Sequence, residues 1–138
     1  MSKGSGAHRL NIRVYYEDTD LAGIVYYANY LRFIERARSE WVRGLGIDQA
    51  RMKDEDGIVF AVRRVEADYL HPAKFDDELT IETTVEHMGG ASMVLRQVVT
   101  RTTDPKAAPL FTALVTLVAI GRNGTAVRLP AILRRPLH

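Results

Sequence analysis

Three acidic side chains occur within four positions in the segment Glu17-Asp18-Thr19-Asp20, which continues as Leu21-Ala22-Gly23. A carboxylate can attack an activated carbonyl carbon or remove a proton from water. The segment precedes a stretch with helical periodicity, and the first amides of a helix can stabilise an oxyanion. This combination suits transfer of an acyl group to water from a good leaving group such as a thiol. The alternative interpretation is that the acids are solvated loop residues near the favourable end of a helix dipole.

The serine, cysteine and histidine patterns point away from several other kinds of active site. The chain has no cysteine, which excludes thiolate metal sites and a cysteine nucleophile. None of its four serines stands in a G-x-S-x-G context, and its four histidines lack the spacing of metal ligands. P-loop and G-x-G-x-x-G motifs are also absent. We therefore expect neither a metal nor another cofactor.

The length and composition of the chain indicate one globular domain. It has 138 residues, of which 46% are hydrophobic and 26% charged, as in a soluble protein. The net charge of +2 gives no reason to expect nucleic acid as a partner. No apolar run has the length of a transmembrane segment, so we predict a cytoplasmic protein. Residues 1–7 are expected to be a disordered arm, 8–129 the folded domain and 130–138 a basic tail.

A period of 3.6 residues from Tyr27 to Leu45 predicts a long amphipathic helix. Arg38 falls inside its apolar stripe, where it could snorkel or pair with Glu35. Asn29 is a candidate cap, and Gly44 and Gly46 suit the end of the helix. The predicted stripe consists of Tyr27, Tyr30, Leu31, Ile34, Ala37, Trp41 and Leu45.

Alternation with a period of two indicates strands on either side of this helix. The predicted strands are 8–16, one from 58 or 64 to 70, 78–88, 92–102, 110–120 and a short one at 125–129. Segment 110–120 is apolar on both faces, which favours a strand covered on both sides or a subunit contact. The order of elements predicts an α+β domain in which an antiparallel sheet of five or six strands covers one central helix.

The run from Arg13 to Tyr30, RVYYEDTDLAGIVYYANY, resembles the signature of the 4-hydroxybenzoyl-CoA thioesterase family. Its continuation LRFIERAR, residues 31–38, is similar to the acyl-CoA thioesterase branch associated with the Tol-Pal system. The resemblance continues through Asp76-Asp77-Glu78-Leu79 and covers about residues 8–129. It implies a hotdog fold, in which the sheet wraps the central helix. It also implies a homodimer or homotetramer with active sites at subunit interfaces.

The resemblance places the catalytic carboxylate at Asp20, two residues before the Ala-Gly pair, and not at Asp18. It implies an acyl-CoA substrate that is hydrolysed to a carboxylic acid and CoA, and a role in lipid metabolism. Gly23, Ile24 and Tyr27 are then expected to contact the substrate. Tyr27 departs from the Tol-Pal branch, which usually has histidine there. Its phenol could line the acyl pocket or could simply pack in the core, so the acyl group stays open.

Four arginines are candidates for contacts with the phosphates of CoA, because a guanidinium suits phosphate geometry. For each arginine taken singly, an ordinary surface position is the favoured alternative. They are Arg122, Arg128, Arg134 and Arg135.

A non-catalytic hotdog module that binds acyl chains or an acyl carrier protein is the alternative function. Binding alone does not need a carboxylate at position 20, so Asp20 favours the enzyme. Release of free thiol from acyl-CoA substrates would discriminate the two.

Overall fold

The computed structural model describes residues 7–134 and contains a five-stranded antiparallel sheet with one long helix on its inner face. Residues 1–6 of the expected arm and 135–138 of the expected tail lie outside the described part. The strand order is β1-β3-β4-β5-β2, so β1 and β2 are the two edges. The predicted α+β hotdog architecture is confirmed. Its elements are β1 (Ala7–Arg13), α1 (Asn29–Gly44), α2 (Gln49–Asp56), β2 (Val59–Tyr69), β3 (Glu78–Met88), β4 (Ser92–Arg101) and β5 (Phe111–Ile120).

Helix α1 contributes more buried residues to the core than α2 does. The helix begins at Asn29, two residues later than predicted, and the expected inward position of Leu31 is wrong, because its side chain is 41% exposed. The buried spacing follows i, i+3, i+4 and i+7 from Tyr30, and Leu31 lies about 100° away from that residue around the helix axis. The buried residues of α1 are Tyr30, Phe33, Ile34, Ala37, Trp41 and Val42.

A buried polar network explains why an arginine lies in the apolar stripe. Nη1 of Arg38 donates to Oε1 of Gln97 on β4 at 3.0 Å, and Gln97 is fully buried. Nε2 of Gln97 donates to the Ile34 carbonyl oxygen at 2.9 Å and to Oγ1 of Thr83 at 3.0 Å. Burial lowers the pKa of Arg38, and the nearby charge of Glu35 opposes this shift. Arg38 therefore bonds to Gln97 on the facing strand and not to Glu35, the partner that the sequence suggested.

Two segments differ from the predicted strands. β1 ends at Arg13 because a short 3-10 helix, Tyr16–Asp18, follows it, and Tyr16 is 79% exposed rather than directed into the core. The predicted strand 125–129 is reduced to a single bridge between Ile120 and Ala126. These ends of the sheet are shaped by tight turns, whose geometry the alternation of side chains does not encode.

Helix α2 was not expected from periodicity. Oδ1 of Asp48 accepts a hydrogen bond from the Arg51 amide at 3.1 Å, and Gly57 ends the helix with a left-handed φ of 69°. Met52 is its only buried residue, so its sequence lacks an apolar stripe. No helix among residues 7–134 is long and apolar enough to cross a membrane.

Candidate active site

The acidic residues lie in a small hairpin between β1 and α1, which comprises residues 18–26 and is called the Asp20 hairpin below. Thr19 and Val25 form an isolated antiparallel bridge. The Asp20 amide donates to the Ile24 carbonyl oxygen at 2.9 Å, and the Gly23 amide donates to the Asp20 carbonyl oxygen at 3.0 Å. Gly23 has a φ of 79°, a left-handed conformation that glycine adopts without strain. The turn therefore holds Asp20 at the surface.

Asp18 stabilises the base of this hairpin. Its Oδ2 accepts the Tyr15 amide at 2.8 Å. Its carbonyl oxygen accepts two further hydrogen bonds at 2.9 Å, from the Tyr26 amide and from Nδ2 of Asn29. Asn29 is therefore not the helix cap that the sequence suggested, because it is the first residue of α1 and its side chain binds the hairpin. Oδ2 and the carbonyl oxygen of Asp18 thus hold the hairpin, and the residue is half-buried, although its Oδ1 has no hydrogen-bond partner within residues 7–134.

Asp20 has a more open environment. Its Oδ1 accepts the Ala22 amide at 2.8 Å, which closes a turn through the aspartate side chain. Its Oδ2 has no hydrogen-bond partner within residues 7–134, and the residue is exposed. One carboxylate oxygen is thus fixed in orientation by the Ala22 amide while the other is uncommitted within residues 7–134.

The start of α1 offers backbone donors close to this hairpin in the chain. The N-cap is Ala28, which has no side-chain cap. The amides of Ile24, Tyr27 and Ala28 donate to no other residue in the described part of the chain. Uncommitted amides at a helix start carry the positive end of its dipole and bind anionic oxygen. This applies to Tyr27 and Ala28, whereas the Ile24 amide belongs to the hairpin. Of the predicted substrate contacts, Gly23 and Ile24 lie in the hairpin and Tyr27 lies just before the helix.

Tyr27 is the outermost member of a continuous set of aromatic rings. Its side chain is 61% exposed, so the alternative of plain core packing is wrong. Its ring centroid lies 5.0 Å from that of Tyr26 and 6.0 Å from that of Tyr69. Tyr69 contacts Tyr30 and Phe111, which stack at 4.9 Å in the core. Burial raises the pKa of Tyr69 and of Tyr30.

The alternation of the strand predicted to end at residue 70 puts Val65, Ala67 and Tyr69 on its inward face, but it does not place Tyr69 beside Tyr27. The register of Tyr69 with Phe111 does put it on the inner face of the sheet. However, α1 leaves this edge uncovered, and about half of Tyr69 is exposed. Sequence reasoning therefore missed it as a residue of the site.

The loop between β2 and β3 supports the Asp20 hairpin from one side. The Val25 amide donates to the Ala73 carbonyl oxygen at 2.8 Å, and the Phe75 amide donates to the Gly23 carbonyl oxygen at 3.3 Å. The Ala73 amide donates to Oη of Tyr30 on α1 at 3.0 Å. Only the resemblance at Asp76-Asp77 drew attention to this loop, and nothing in its own pattern predicts the contact.

Two of the four candidate arginines are engaged within the fold. Nη2 of Arg122 donates to the carbonyl oxygens of Asp54 and Glu55 at 3.3 Å each, near the end of α2. Nη2 of Arg134 donates to the carbonyl oxygens of the β3–β4 turn, Gly89 and Gly90. Arg128 is exposed, and Arg135 lies outside the described residues. Within residues 7–134 no group of three or more histidine or acidic side chains could hold a metal ion.

Comparisons with known proteins show the family and the fold of this chain. The model of the thioesterase superfamily matches residues 22–108. The chain is 45% identical over 92 residues to acyl-CoA thioesterase YbgC of Haemophilus influenzae, an alignment that covers 67% of this chain and 68% of that protein. A probable thioesterase from Bartonella henselae is 35% identical with a TM-score of 0.82, and covers 90% of this chain and 99% of its own. The 4-hydroxybenzoyl CoA thioesterase from Pseudomonas sp. strain CBS-3 is 30% identical with a TM-score of 0.84, and covers 93% and 97%.

Proposed function

Because this chain belongs to the thioesterase superfamily, we propose that it hydrolyses acyl-CoA thioesters to a carboxylic acid and CoA. The observation that carries the proposal is the environment of Asp20, whose exposed carboxylate has one oxygen held by the Ala22 amide and the other uncommitted. The name of the Haemophilus relative, an acyl-CoA thioesterase, supports the substrate class. A binding module would not need a carboxylate presented in this way.

Two routes of cleavage use the same groups. In the first, Oδ2 of Asp20 attacks the thioester carbon, the C–S bond breaks, and CoA leaves as a thiolate. Water then hydrolyses the mixed anhydride and restores the carboxylate. In the second, Asp20 accepts a proton from a water molecule as the water oxygen attacks the same carbon; the C–S bond then breaks, and the CoA thiolate takes the proton from Asp20 and leaves as the thiol. In both, the amides of Ile24, Tyr27 and Ala28 are the donors we assign to the oxyanion.

We assign the acyl group to the surface formed by Tyr27 and Tyr69, whose ring centroids are 6.0 Å apart. Gly23 and Ile24 would contact the thioester end. One neighbour is named for an aromatic acyl-CoA and one relative for acyl-CoA in general, so the choice of acyl group is left to experiment. Four further expectations stay predictions: homo-oligomeric assembly, a cytoplasmic location, a role in lipid metabolism and an acyl carrier protein partner.

The decisive experiment compares Asp20→Asn with Asp18→Asn. Asparagine can keep the Oδ1 bond to the Ala22 amide, so the hairpin should persist, but it neither attacks a carbonyl nor accepts a proton at neutral pH. We expect kcat of Asp20→Asn to fall by at least ~10²-fold with little change in KM. Asp18→Asn should lose less than about tenfold, because an amide oxygen can still accept the Tyr15 amide. Thiol release from aromatic and aliphatic acyl-CoAs measures both.

If both variants lost equal activity, or if only Asp18→Asn were inactive, the assignment of the chemistry to Asp20 would be wrong. If the pure wild-type protein released no thiol from any acyl-CoA, the non-catalytic binding module would be the better description.

A further inference from the structure

We propose that the ion pair between Asp77 and Arg101 positions the Asp20 hairpin for catalysis, acting through the 72–77 loop. The catalytic part of this proposal rests on the thioesterase function proposed above. Asp77 immediately precedes β3, and Arg101 is the last residue of β4. Oδ2 of Asp77 lies 3.0 Å from Nε of Arg101, and the two side chains are 24% and 34% exposed. Within residues 7–134 no other ion pair is as buried.

The pair fixes the 72–77 loop at three points. Nη2 of Arg101 donates to the Pro72 carbonyl oxygen at 2.8 Å, while its Nε donates to Asp77. Oδ2 of Asp77 also accepts the Lys74 amide at 2.9 Å. A guanidinium is suited to this task because its planar fork donates in two directions at once. The loop therefore depends on one arginine at both of its ends.

The loop in turn holds the strand of the hairpin that faces Asp20. Its bonds to the Gly23 carbonyl oxygen and the Val25 amide lie on either side of Ile24. The Ile24 carbonyl oxygen accepts the Asp20 amide at 2.9 Å. A shift of the loop is thus passed to Asp20 through two successive backbone contacts. A displacement of about 1 Å at a reacting group can cost about 10²-fold in rate.

A second support comes from the helix. The Ala73 amide donates to Oη of Tyr30, which anchors the middle of the loop to α1. Removing this hydroxyl leaves the ion pair intact but releases the same loop. Tyr30 and Arg101 therefore hold the 72–77 loop independently of each other.

The variant Arg101→Met tests the proposal, with Arg96→Met as its matched control. Arg96 lies on the same strand and pairs with Glu86 at 3.5 Å, but it contacts neither the loop nor the hairpin in the described structure. We expect Arg101→Met to lower kcat for an acyl-CoA by about tenfold or more, with KM within about threefold of wild type. Arg96→Met should resemble wild type in both. Arg101→Lys should recover part of kcat, because an ammonium can pair with Asp77 but cannot also bind Pro72 as a fork.

Amide hydrogen exchange supplies a readout that does not need activity. Exchange within residues 18–26 should accelerate in Arg101→Met and in Tyr30→Phe, and should stay as in wild type in Arg96→Met. If wild type is inactive, the proposed function fails while this measurement still reports on positioning. Unchanged exchange and kcat in Arg101→Met, or equal effects in Arg96→Met, would overturn the proposal. Should Arg101→Met fail to fold, normal kcat and exchange in both Arg101→Lys and Tyr30→Phe would overturn it.

Discussion

Gln97 is the polar side chain on which the core depends most, since it is fully buried and uses both ends of its amide. We expect Gln97→Leu to lower the free energy of unfolding by about 3 kcal/mol, because the change leaves Arg38 and Thr83 without their partner. Urea unfolding at neutral pH measures this loss.

The double variant Arg38→Leu/Gln97→Leu is the control for that substitution. Removing both polar groups should cost less than the sum of the single changes, because no half-buried guanidinium is then left without its partner. A cost below about 1 kcal/mol for Gln97→Leu alone would show that water replaces the glutamine easily.

His8 should make stability depend on pH. Burial lowers its pKa, the charge of Glu40 opposes this, and its Nδ1 is buried with no partner in the described chain. The unfolded chain takes up a proton near its ordinary pKa of about 6.5, while the folded protein does so only at lower pH. Stability is therefore fully present above about pH 6.5 and falls as the pH drops through the window below it. Urea unfolding from pH 7.5 to 5 should show a smaller loss in His8→Gln, and equal losses would contradict this assignment.

The residue types of the site were readable from the sequence, but their division of labour was not. Three acids before a helix suggested hydrolysis, and only the resemblance preferred Asp20 to Asp18. The structure supplies a physical difference, since Asp18 accepts the Tyr15 amide and Asp20 closes a turn on Ala22. Bonds of this kind depend on turn geometry over three residues, which spacing alone does not determine.

At the scale of elements, the amphipathic period identified α1 but placed its start too early. Tyr27 fits the helical period, yet the Tyr26 amide before it bonds to Asp18 and so belongs to the hairpin. Helix α2 was not predicted, because its single buried residue, Met52, gives no periodic signal. Long elements with a whole buried face were predictable, whereas short ones held by caps were not.

The C-terminal segment is expected to stabilise the fold, although the sequence suggested only a basic tail. Leu133 is buried, and Arg134 donates to the Gly89–Gly90 turn. Truncation after Leu129 should lower the free energy of unfolding by about 2–4 kcal/mol, through lost apolar burial and charged hydrogen bonds. Thermal unfolding measures this. Truncation after Arg134 keeps every contact described for the segment, so it is the control and should cost less than truncation after Leu129.

At the scale of the whole molecule, the edge strand β2 is where we expect a second copy to bind. Among the described residues 7–134 it pairs only with β5, so within that range one side of this 11-residue strand has no strand partner. Val62, Val65 and Tyr69 lie opposite buried residues of β5, on the inner face, yet all three are exposed. We expect a second copy to cover this region. The sequence suggested that 110–120 is either covered on both sides or a subunit contact, and in the structure its alternate residues are buried and the others half-buried.

Light scattering at about 10 μM should give at least twice the chain mass of 15.5 kDa. Val65→Lys should shift the protein towards monomer and reduce thiol release, because a charge would be buried in an apolar contact. Asn11→Lys on the opposite edge is the control and should keep the assembly. A wild-type monomer under these conditions would count against shared sites.

The edge position of β2 also has a consequence for solubility. Its first part, with the residue before it, reads Ile58-Val59-Phe60-Ala61-Val62, five apolar residues without a charge, whereas β1 carries Arg9 and Arg13 on the other edge. A short uncharged segment on an open edge is a template for uncontrolled strand addition. Any substitution that separates the copies should therefore make the protein aggregate on concentration or mild heating, and these five residues are where fibrillar association should begin.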